Sequence, residues 1–140
     1  VDGTMERRPS KSGSMLQYYK HPNDNLEHTL YKACHFNHPS TVWTRESIQN
    51  YIWHYDHFHA LCLEYTYRYD KVHMTDSKLR NLLDNIPNNI QLGEWSEPPQ
   101  CMPDDVKVLN DSLTAYHKYY KEYKKDFARW TDRPVPDFML

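Results

Sequence analysis

The feature that most constrains the fold is a stretch of about 30 residues, Ser40 to Val72, that contains neither Gly nor Pro. Within it, one aromatic-rich stripe recurs in alternating steps of four and three: Tyr51, Tyr55, Phe58, Cys62, Tyr65 and Tyr69. That spacing places the side chains on one face of a helix, so the sequence predicts a long central helix of about 30 residues.

A second stripe on the same predicted helix is polar. It follows the same steps and comprises Asn50, His54, His57, Leu61, Glu64, Arg68 and Lys71. Glu64, Arg68 and Lys71 lie one turn apart, which places a carboxylate beside two cations. Such a set can serve as a general base with phosphate-binding cations, or it can be an ordinary solvated ion-pair face. Both interpretations stay open at this point.

The C-terminal part repeats the helical pattern. Asn110 or Asp111 is placed to cap a helix, whose stripe reads Leu113, Tyr116, Tyr120, Tyr123, Phe127 and Trp130. Pro134 and Pro136 follow and end it. We expect the two long helices to pack through their tyrosine stripes. The side chains expected to be mostly buried there are Tyr55, Phe58, Tyr65, Tyr116, Tyr120, Tyr123 and Phe127.

The remaining segments complete a prediction of a single all-α domain over residues 15–140. Residues 15–19 are expected to form the remnant of a helix, and Asp76 or Ser77 to cap a short helix. A long Pro-rich loop is predicted from Asn85 to Pro103. Residues 1–4 read like two translated restriction sites and are interpreted as a cloning scar, and residues 5–14 as a flexible N-terminal segment. No alternation typical of strands joined by hairpin turns is recognised.

Composition narrows the classes of function. No apolar run approaches the roughly 20 residues of a membrane span, and no signal peptide opens the chain. The three cysteines are widely separated, which argues against a disulfide framework and a cysteine-built zinc site and favours a reducing, cytoplasmic location. The net charge of −2 argues against a general nucleic-acid coat protein. Locally, however, residues 5–20 carry a net +3, residues 84–111 a net −5 and residues 117–133 a net +3.

Two further sets bear on chemistry. The histidines lack the spacings of a zinc site, so we expect no metal and no cofactor, and predict capping, stacking or core hydrogen bonding for most of them. The run Tyr116–Lys125 interleaves aromatic residues with lysines, as in proteins that stack on bases and bind phosphates. The same run also suits a helix with a buried tyrosine face and solvated lysines, and only Tyr119 departs from that pattern.

Several longer motifs resemble one family of small phage proteins. They are HPSTVWTRESIQNY, ALCLEYTYRYDKVH, CMPD, AYHKYY and FARWTDRPVPDFM, and the resemblance extends from about Leu30 to the C-terminus. Proteins of that family are often labelled pyrimidine dimer DNA glycosylase, which implies similarity to phage endonuclease V. That enzyme is a compact all-α protein that removes one base of a pyrimidine dimer and then cuts the strand. The segments similar to it are His38-Pro39, Glu64 to Lys71, and Lys118-Tyr119-Tyr120.

The resemblance departs from the enzyme at the start of the chain. Endonuclease V uses its N-terminal amine as the nucleophile together with a glutamate in its first helix, and no matching start is recognised here. The resemblance therefore implies a phage-encoded protein of the host cytoplasm that binds DNA, without assigning a nucleophile.

From these observations we expect a DNA-processing enzyme of glycosylase or lyase type that acts on a base in DNA. The predicted catalytic residues are Glu64, Arg68 and His38. The predicted substrate-binding residues are Trp43, Arg45, Asn50, His57, Lys71, His73, Tyr119 and Lys121. Two alternatives stay open: a non-enzymatic phage protein that binds a host or phage partner through an aromatic surface, and an enzyme acting on a free nucleotide or small metabolite. The sequence does not indicate an oligomeric state.

Overall fold

Helices form most of the regular structure of the computed structural model, which describes residues 3–140. Within these residues there are five α-helices: α1 Asp24–Thr29, α2 Pro39–Glu46, α3 Ile48–Tyr69, α4 Met74–Leu83 and α5 Ser112–Tyr119. A π-helical turn, Tyr120–Lys124, continues α5, and 3₁₀ turns lie at Asp104–Val106 and Asp137–Met139. The class is helix-rich but not all-α, because two strands precede α1.

The two strands form an antiparallel hairpin. Strand β1 (Thr4–Pro9) pairs with β2 (Met15–Lys20) in the register Thr4 to Lys20 and Pro9 to Met15. The turn between them uses Gly13 at φ 86°, a left-handed conformation that glycine adopts at little cost. The helical remnant predicted at residues 15–19 is therefore wrong, and residues 4–9 of the N-terminal region form a strand. Of the predicted cloning scar, residues 1 and 2 lie outside the described residues.

The predicted central helix is broken at Ser47. This residue is extended, with φ −150° and ψ 156°, and caps α3 by accepting a hydrogen bond from Asn50 N at 3.1 Å. Its Oγ in turn donates to the carbonyl of Glu94 at 3.0 Å, and Ile48 N donates to the carbonyl of Gln91 at 3.0 Å. Residues 91–96, which we call the strap, thus hold the corner between α2 and α3.

Gly93 shows how closely the strap approaches this corner. A Cβ atom placed on Gly93 would lie 2.9 Å from Cβ of Ser47, closer than side-chain carbons normally come. The strap lies within residues 84–103, which contain no helix or strand. The irregular segment is therefore anchored on the helices by specific hydrogen bonds.

The inner face of α3 packs on α4, with α2 lying beside α3. The hydroxyl of Tyr51 donates to the carbonyl of Leu83 at 2.6 Å, and Cys62 and Leu79 are buried between the two helices. Asp76, also buried, accepts two hydrogen bonds from Arg80, at 2.5 and 2.6 Å. These bonds lower the pKa of Asp76 and keep it ionised.

The C-terminal helix differs from its prediction. Asp111 caps α5 as predicted, accepting from Thr114 N at 2.9 Å, and Ala115 is fully buried. However, the helix widens into a π turn at Tyr120, which rotates later side chains away from the α-helical stripe. Tyr120, Tyr123 and Phe127 are 42%, 46% and 62% exposed, so the prediction that they are buried is wrong. The main helix contacts of α3 are with α2 and α4, not with a tyrosine stripe of α5.

The final segment folds back onto the helices. Phe138 stacks on His117 of α5, with ring centroids 4.0 Å apart and planes within 5°. Trp130 meets the edge of Phe138, and Arg133 reaches Glu64 of α3. Among residues 3–140, no helix is both long enough and apolar enough to span a membrane.

Candidate functional site

The predicted catalytic pair lies in an ion cluster at the C-terminal half of α3. Arg68 Nε donates to Glu64 Oε1 at 2.7 Å. Arg133 donates to both carboxylate oxygens, from Nε to Oε1 at 3.0 Å and from Nη2 to Oε2 at 2.7 Å. The second cation beside Glu64 is therefore Arg133, whereas Lys71 lies near the ring of Tyr65 with its Nζ 6.0 Å from the centroid.

The electrostatics of this cluster keep the Glu64 carboxylate ionised at neutral pH. Hydrogen bonds from Arg133 and then Arg68 lower the pKa of Glu64 from 4.5 to about 2. A group with so low a pKa is a weak general base near neutral pH. The cluster is well suited to hold the C-terminal segment on α3, because Arg68 also donates to the carbonyl of Arg129 at 3.3 Å. The catalytic role of Glu64 and Arg68 stays a prediction.

Two predicted site histidines cap helices. His38 caps α2, with Nδ1 accepting from Ser40 N at 3.2 Å, and His73 caps α4, with Nδ1 accepting from Thr75 N at 3.1 Å. The prediction that Asp76 or Ser77 caps this helix is therefore wrong, because α4 begins at Met74 and contains both residues. His57 stacks on Trp53 with centroids 5.4 Å apart. These contacts confirm, for His38, His57 and His73, the prediction of capping or stacking.

Trp43 and Asn50 join the helices to the strap. Asn50 is 1% exposed; its Nδ2 donates to the carbonyl of Trp43 and to Ser96 Oγ, each at 3.0 Å. Its Oδ1 accepts from Ser96 N at 2.9 Å, and Trp43 Nε1 donates to Ser96 Oγ at 2.9 Å. With these bonds made, Asn50 has no group turned toward a substrate.

The other predicted binding residues do not come together. Arg45 donates twice to the carbonyl of Phe36, at 3.0 and 3.1 Å, and its guanidinium lies 4.0 Å from the centroid of the Phe36 ring. Tyr119 packs near Tyr123 with ring centroids 5.6 Å apart, and Lys121 is exposed on the π turn. Of the predicted set, only Arg45 lines the cavity that opens beside the hairpin.

That cavity, of about 490 Å³, lies between the hairpin, residues 30–36, α2 and the start of α3. Its volume is within the range of ligand-binding pockets, and its walls are mostly apolar. Five aromatic side chains form much of the wall, and the ionisable groups His54, Arg45 and Glu27 also face it. The aromatic members are Tyr18, Tyr19, Tyr31, Phe36 and Tyr51.

His54 is the best-defined polar group of this cavity. Its Nδ1 lies 2.5 Å from Thr44 Oγ1, and that hydroxyl already donates to the carbonyl of Ser40 at 2.7 Å. Because a hydroxyl has one proton, this network assigns the shared proton to Nδ1 and leaves Nε2 with its lone pair. Burial, and then the nearby His57, lower the pKa of His54, so the imidazole is neutral at pH 7.

Glu27 is the acidic group of the same cavity. It accepts hydrogen bonds from the hydroxyl of Tyr18 and, at 2.7 Å, from His21 N. These bonds lower the pKa of Glu27, and the bond to the carboxylate raises the pKa of Tyr18. The pair also fastens β2 to α1 at the cavity wall.

The hairpin that contributes Tyr18 and Tyr19 to the cavity wall is cationic. Residues 5–20 carry a net +3, and Arg7, Lys11 and Lys20 are all exposed on it. Arg8 pairs with Glu6 at 2.9 Å and lies 3.8 Å from the centroid of the Tyr18 ring. The arrangement thus combines an aromatic pocket, a neutral imidazole and a basic ribbon.

Sequence spacing does not reveal this cavity, because its walls come from segments as distant as Tyr18, His54 and Ile90. Within the described residues, no three His, Cys, Asp or Glu side chains are grouped as a metal site. Comparisons with protein families, with curated proteins and with solved structures find no match for this chain.

Proposed function

We propose that the protein binds DNA and acts on a base that is rotated out of the duplex into the cavity beside the hairpin. The observation that carries this proposal is the aromatic-walled cavity containing a neutral His54. Enzymes that act on bases need a pocket that stacks on the extruded base and hydrogen-bonds its edge. Here the aromatic rings supply the stacking surface, and Nε2 of His54 supplies an acceptor.

The basic hairpin supports a polymeric substrate over a free metabolite. A two-stranded ribbon fits the major groove of DNA, and exposed cations on such a ribbon contact phosphates. Because β2 also forms a wall of the cavity, DNA bound by the ribbon lies next to the pocket. A free nucleotide needs no such extended cationic surface.

The chemistry proposed is hydrolysis of the bond between base and sugar. A neutral imidazole can accept a proton from the attacking water while the water oxygen bonds to the sugar. The electron pair of the broken bond leaves with the base, which takes up a proton from the imidazolium or from solvent. Arg45 at the cavity wall provides a cation for the phosphate next to the extruded nucleotide. This assignment puts the proton transfer at His54.

DNA binding is tested by fluorescence anisotropy with a labelled duplex at several salt concentrations. If the hairpin cations neutralise three to four phosphates, the slope of log K against log salt is about −2.7 to −3.6. The double substitution Arg7→Gln and Lys11→Gln should make this slope less negative by about 1.8. Lys125→Gln, at an exposed cation outside the hairpin, is the matched control and should leave the slope unchanged. Binding that does not weaken with salt would contradict the proposal and favour a free nucleotide or a protein partner.

The chemistry is tested with a duplex carrying a single pyrimidine dimer. Cleavage of the base–sugar bond is measured as strand scission at the resulting abasic site after alkali treatment, because the freed base stays bonded to its dimer partner. Asparagine can replace Nδ1 of histidine as a donor to Thr44 but lacks the Nε2 acceptor, so His54→Asn should slow cleavage of this bond at least about 100-fold with binding retained. His59→Asn, on the same helix and away from the cavity, is the control. Equal rates for both variants and the parent would exclude His54 from the reaction.

A further inference from the structure

The outer face of α3 is mostly apolar, and several of its large side chains are exposed. Its inner face packs on α4, α2 covers one side, and the C-terminal segment covers Glu64 and Arg68. A stripe with steps of three and four remains exposed along the helix: Trp53, Asp56, Ala60, Leu63 and Tyr67. A helix that carries apolar residues on two opposite faces is typically packed against other structure on both of them. We call this stripe the α3 seam.

The protein as a whole exposes more surface than a monomer of its mass should. Its accessible surface is 10472 Å², whereas a compact monomer of 16.9 kDa is expected to expose about 7,700 Å². The excess is about 2,800 Å², and a standard protein interface buries about 800 Å² on each partner. The single chain therefore exposes enough extra surface to form a stable interface with a partner.

The α3 seam is self-complementary about Ala60. Trp53 and Tyr67 lie seven residues to either side of it, two helical turns in each direction. In an antiparallel pair of α3 helices related by a two-fold axis at Ala60, Trp53 of each copy faces Tyr67 of the other. Ala60 is small enough to let the two helices approach closely at the axis. Such reciprocal matching is the pattern of an interface between identical subunits.

The charges on the seam match in the same arrangement. Asp56 lies four residues before Ala60 and Glu64 four residues after it, so Asp56 of one copy faces the ion cluster around Glu64 of the other. That cluster holds two arginines against one carboxylate and has a net charge of +1. Arg133 lies 3.6 Å from the centroid of the Tyr67 ring, so Trp53 of the other copy would meet this guanidinium together with Tyr67. In this arrangement, Asp56 and the ring of Trp53 from one copy both face the cationic cluster of the other copy.

We propose that the α3 seam is the interface of a homodimer in which two α3 helices pack antiparallel about Ala60. Tyr51 and His54 of α3 line the cavity, but none of the five residues of the α3 seam does, so both copies keep that pocket open. The occupant of the seam is therefore a second copy of this chain.

The first test measures the mass of the full chain in solution by light scattering or sedimentation. The protein is kept at about 10 μM, which exceeds the dissociation constant on the order of 1 μM that we expect for the dimer. We expect a mass of twice 16.9 kDa. Leu63→Glu should weaken the dimer at least about tenfold. Leu113→Glu is the matched control, because Leu113 on α5 is 66% exposed and Leu63 is 55% exposed, and it should leave the dimer intact. A monomeric parent, or a dimer that Leu63→Glu does not weaken, would overturn the proposal.

Crosslinking tests the axis itself. In a background in which the exposed Cys34 and Cys101 are replaced by Ser, Ala60→Cys should be joined into a covalent dimer by a short bismaleimide. Leu113→Cys in the same background should stay monomeric on denaturing gels. If only Leu113→Cys is joined, the interface lies elsewhere; if neither is joined, the seam binds a different protein or none.

Discussion

Replacing Asn50 by Ala should destabilise the protein strongly without a specific effect on ligand binding. The side chain makes three hydrogen bonds of 2.9 to 3.0 Å inside a buried network. Each contributes about 1 kcal/mol net, and removal also leaves Ser96 N and the Trp43 carbonyl without their partner. The free energy of unfolding should therefore fall by about 3–5 kcal/mol, a large part of the 5–15 kcal/mol of a typical domain.

Urea unfolding followed by tryptophan fluorescence measures this loss. With a slope of about 2 kcal/mol per molar urea, the midpoint should fall by roughly 1.5–2.5 M. Gln49→Ala removes an amide from the neighbouring exposed position and should change the free energy of unfolding by less than about 0.5 kcal/mol. If Asn50→Ala unfolds like the parent and instead loses DNA affinity, Asn50 faces the substrate and the reasoning from its hydrogen bonds is refuted.

Two further predictions follow from the ion cluster and from the C-terminal helix. Because the folded-state pKa of Glu64 is below its ordinary value, the stability it contributes is present above about pH 4.5 and lost as the pH falls toward 2. Urea midpoints of the parent and Glu64→Gln should accordingly converge over that range, and a constant difference would show that ionisation of Glu64 does not matter. Phe127→Ala should change the free energy of unfolding by less than about 0.5 kcal/mol, because the ring is 62% exposed. A loss of about 3–5 kcal/mol in the free energy of unfolding would instead show that Phe127 is buried, as the sequence predicts.

The sequence predicts helices well where a local signal specifies them. Asp111 is followed by the apolar spacing of a helix, and the structure places the cap there. The hairpin is missed because its strands are exposed on both faces, which leaves no alternation of apolar and polar residues to detect. The stripe of α5 fails at Tyr120, where the backbone changes to a π turn that an α-helical period does not anticipate.

The candidate site is harder to predict because it depends on distant segments. Spacing on one helix correctly brings Glu64 and Arg68 together, since residues four apart are neighbours. Arg133 joins them only because the chain folds back over 69 residues. In the same way, the environment of His54 is formed by Thr44, the hairpin and Ile90, and no local pattern marks it as a cavity residue.

The corner at Ser47 has a consequence for the order in which the chain folds. The bonds that define it join Asn50 and Trp43 to Ser96, which lies 46 and 53 residues further along the chain. Contacts at such separation form slowly, because the entropy of closing the intervening loop is lost before they contribute. The cap that Ser47 provides to Asn50 N is local and can form as soon as residues 47–50 are made. The bonds from the strap to this corner can form only after residues 91–96 have been synthesised, so they are added to the corner last.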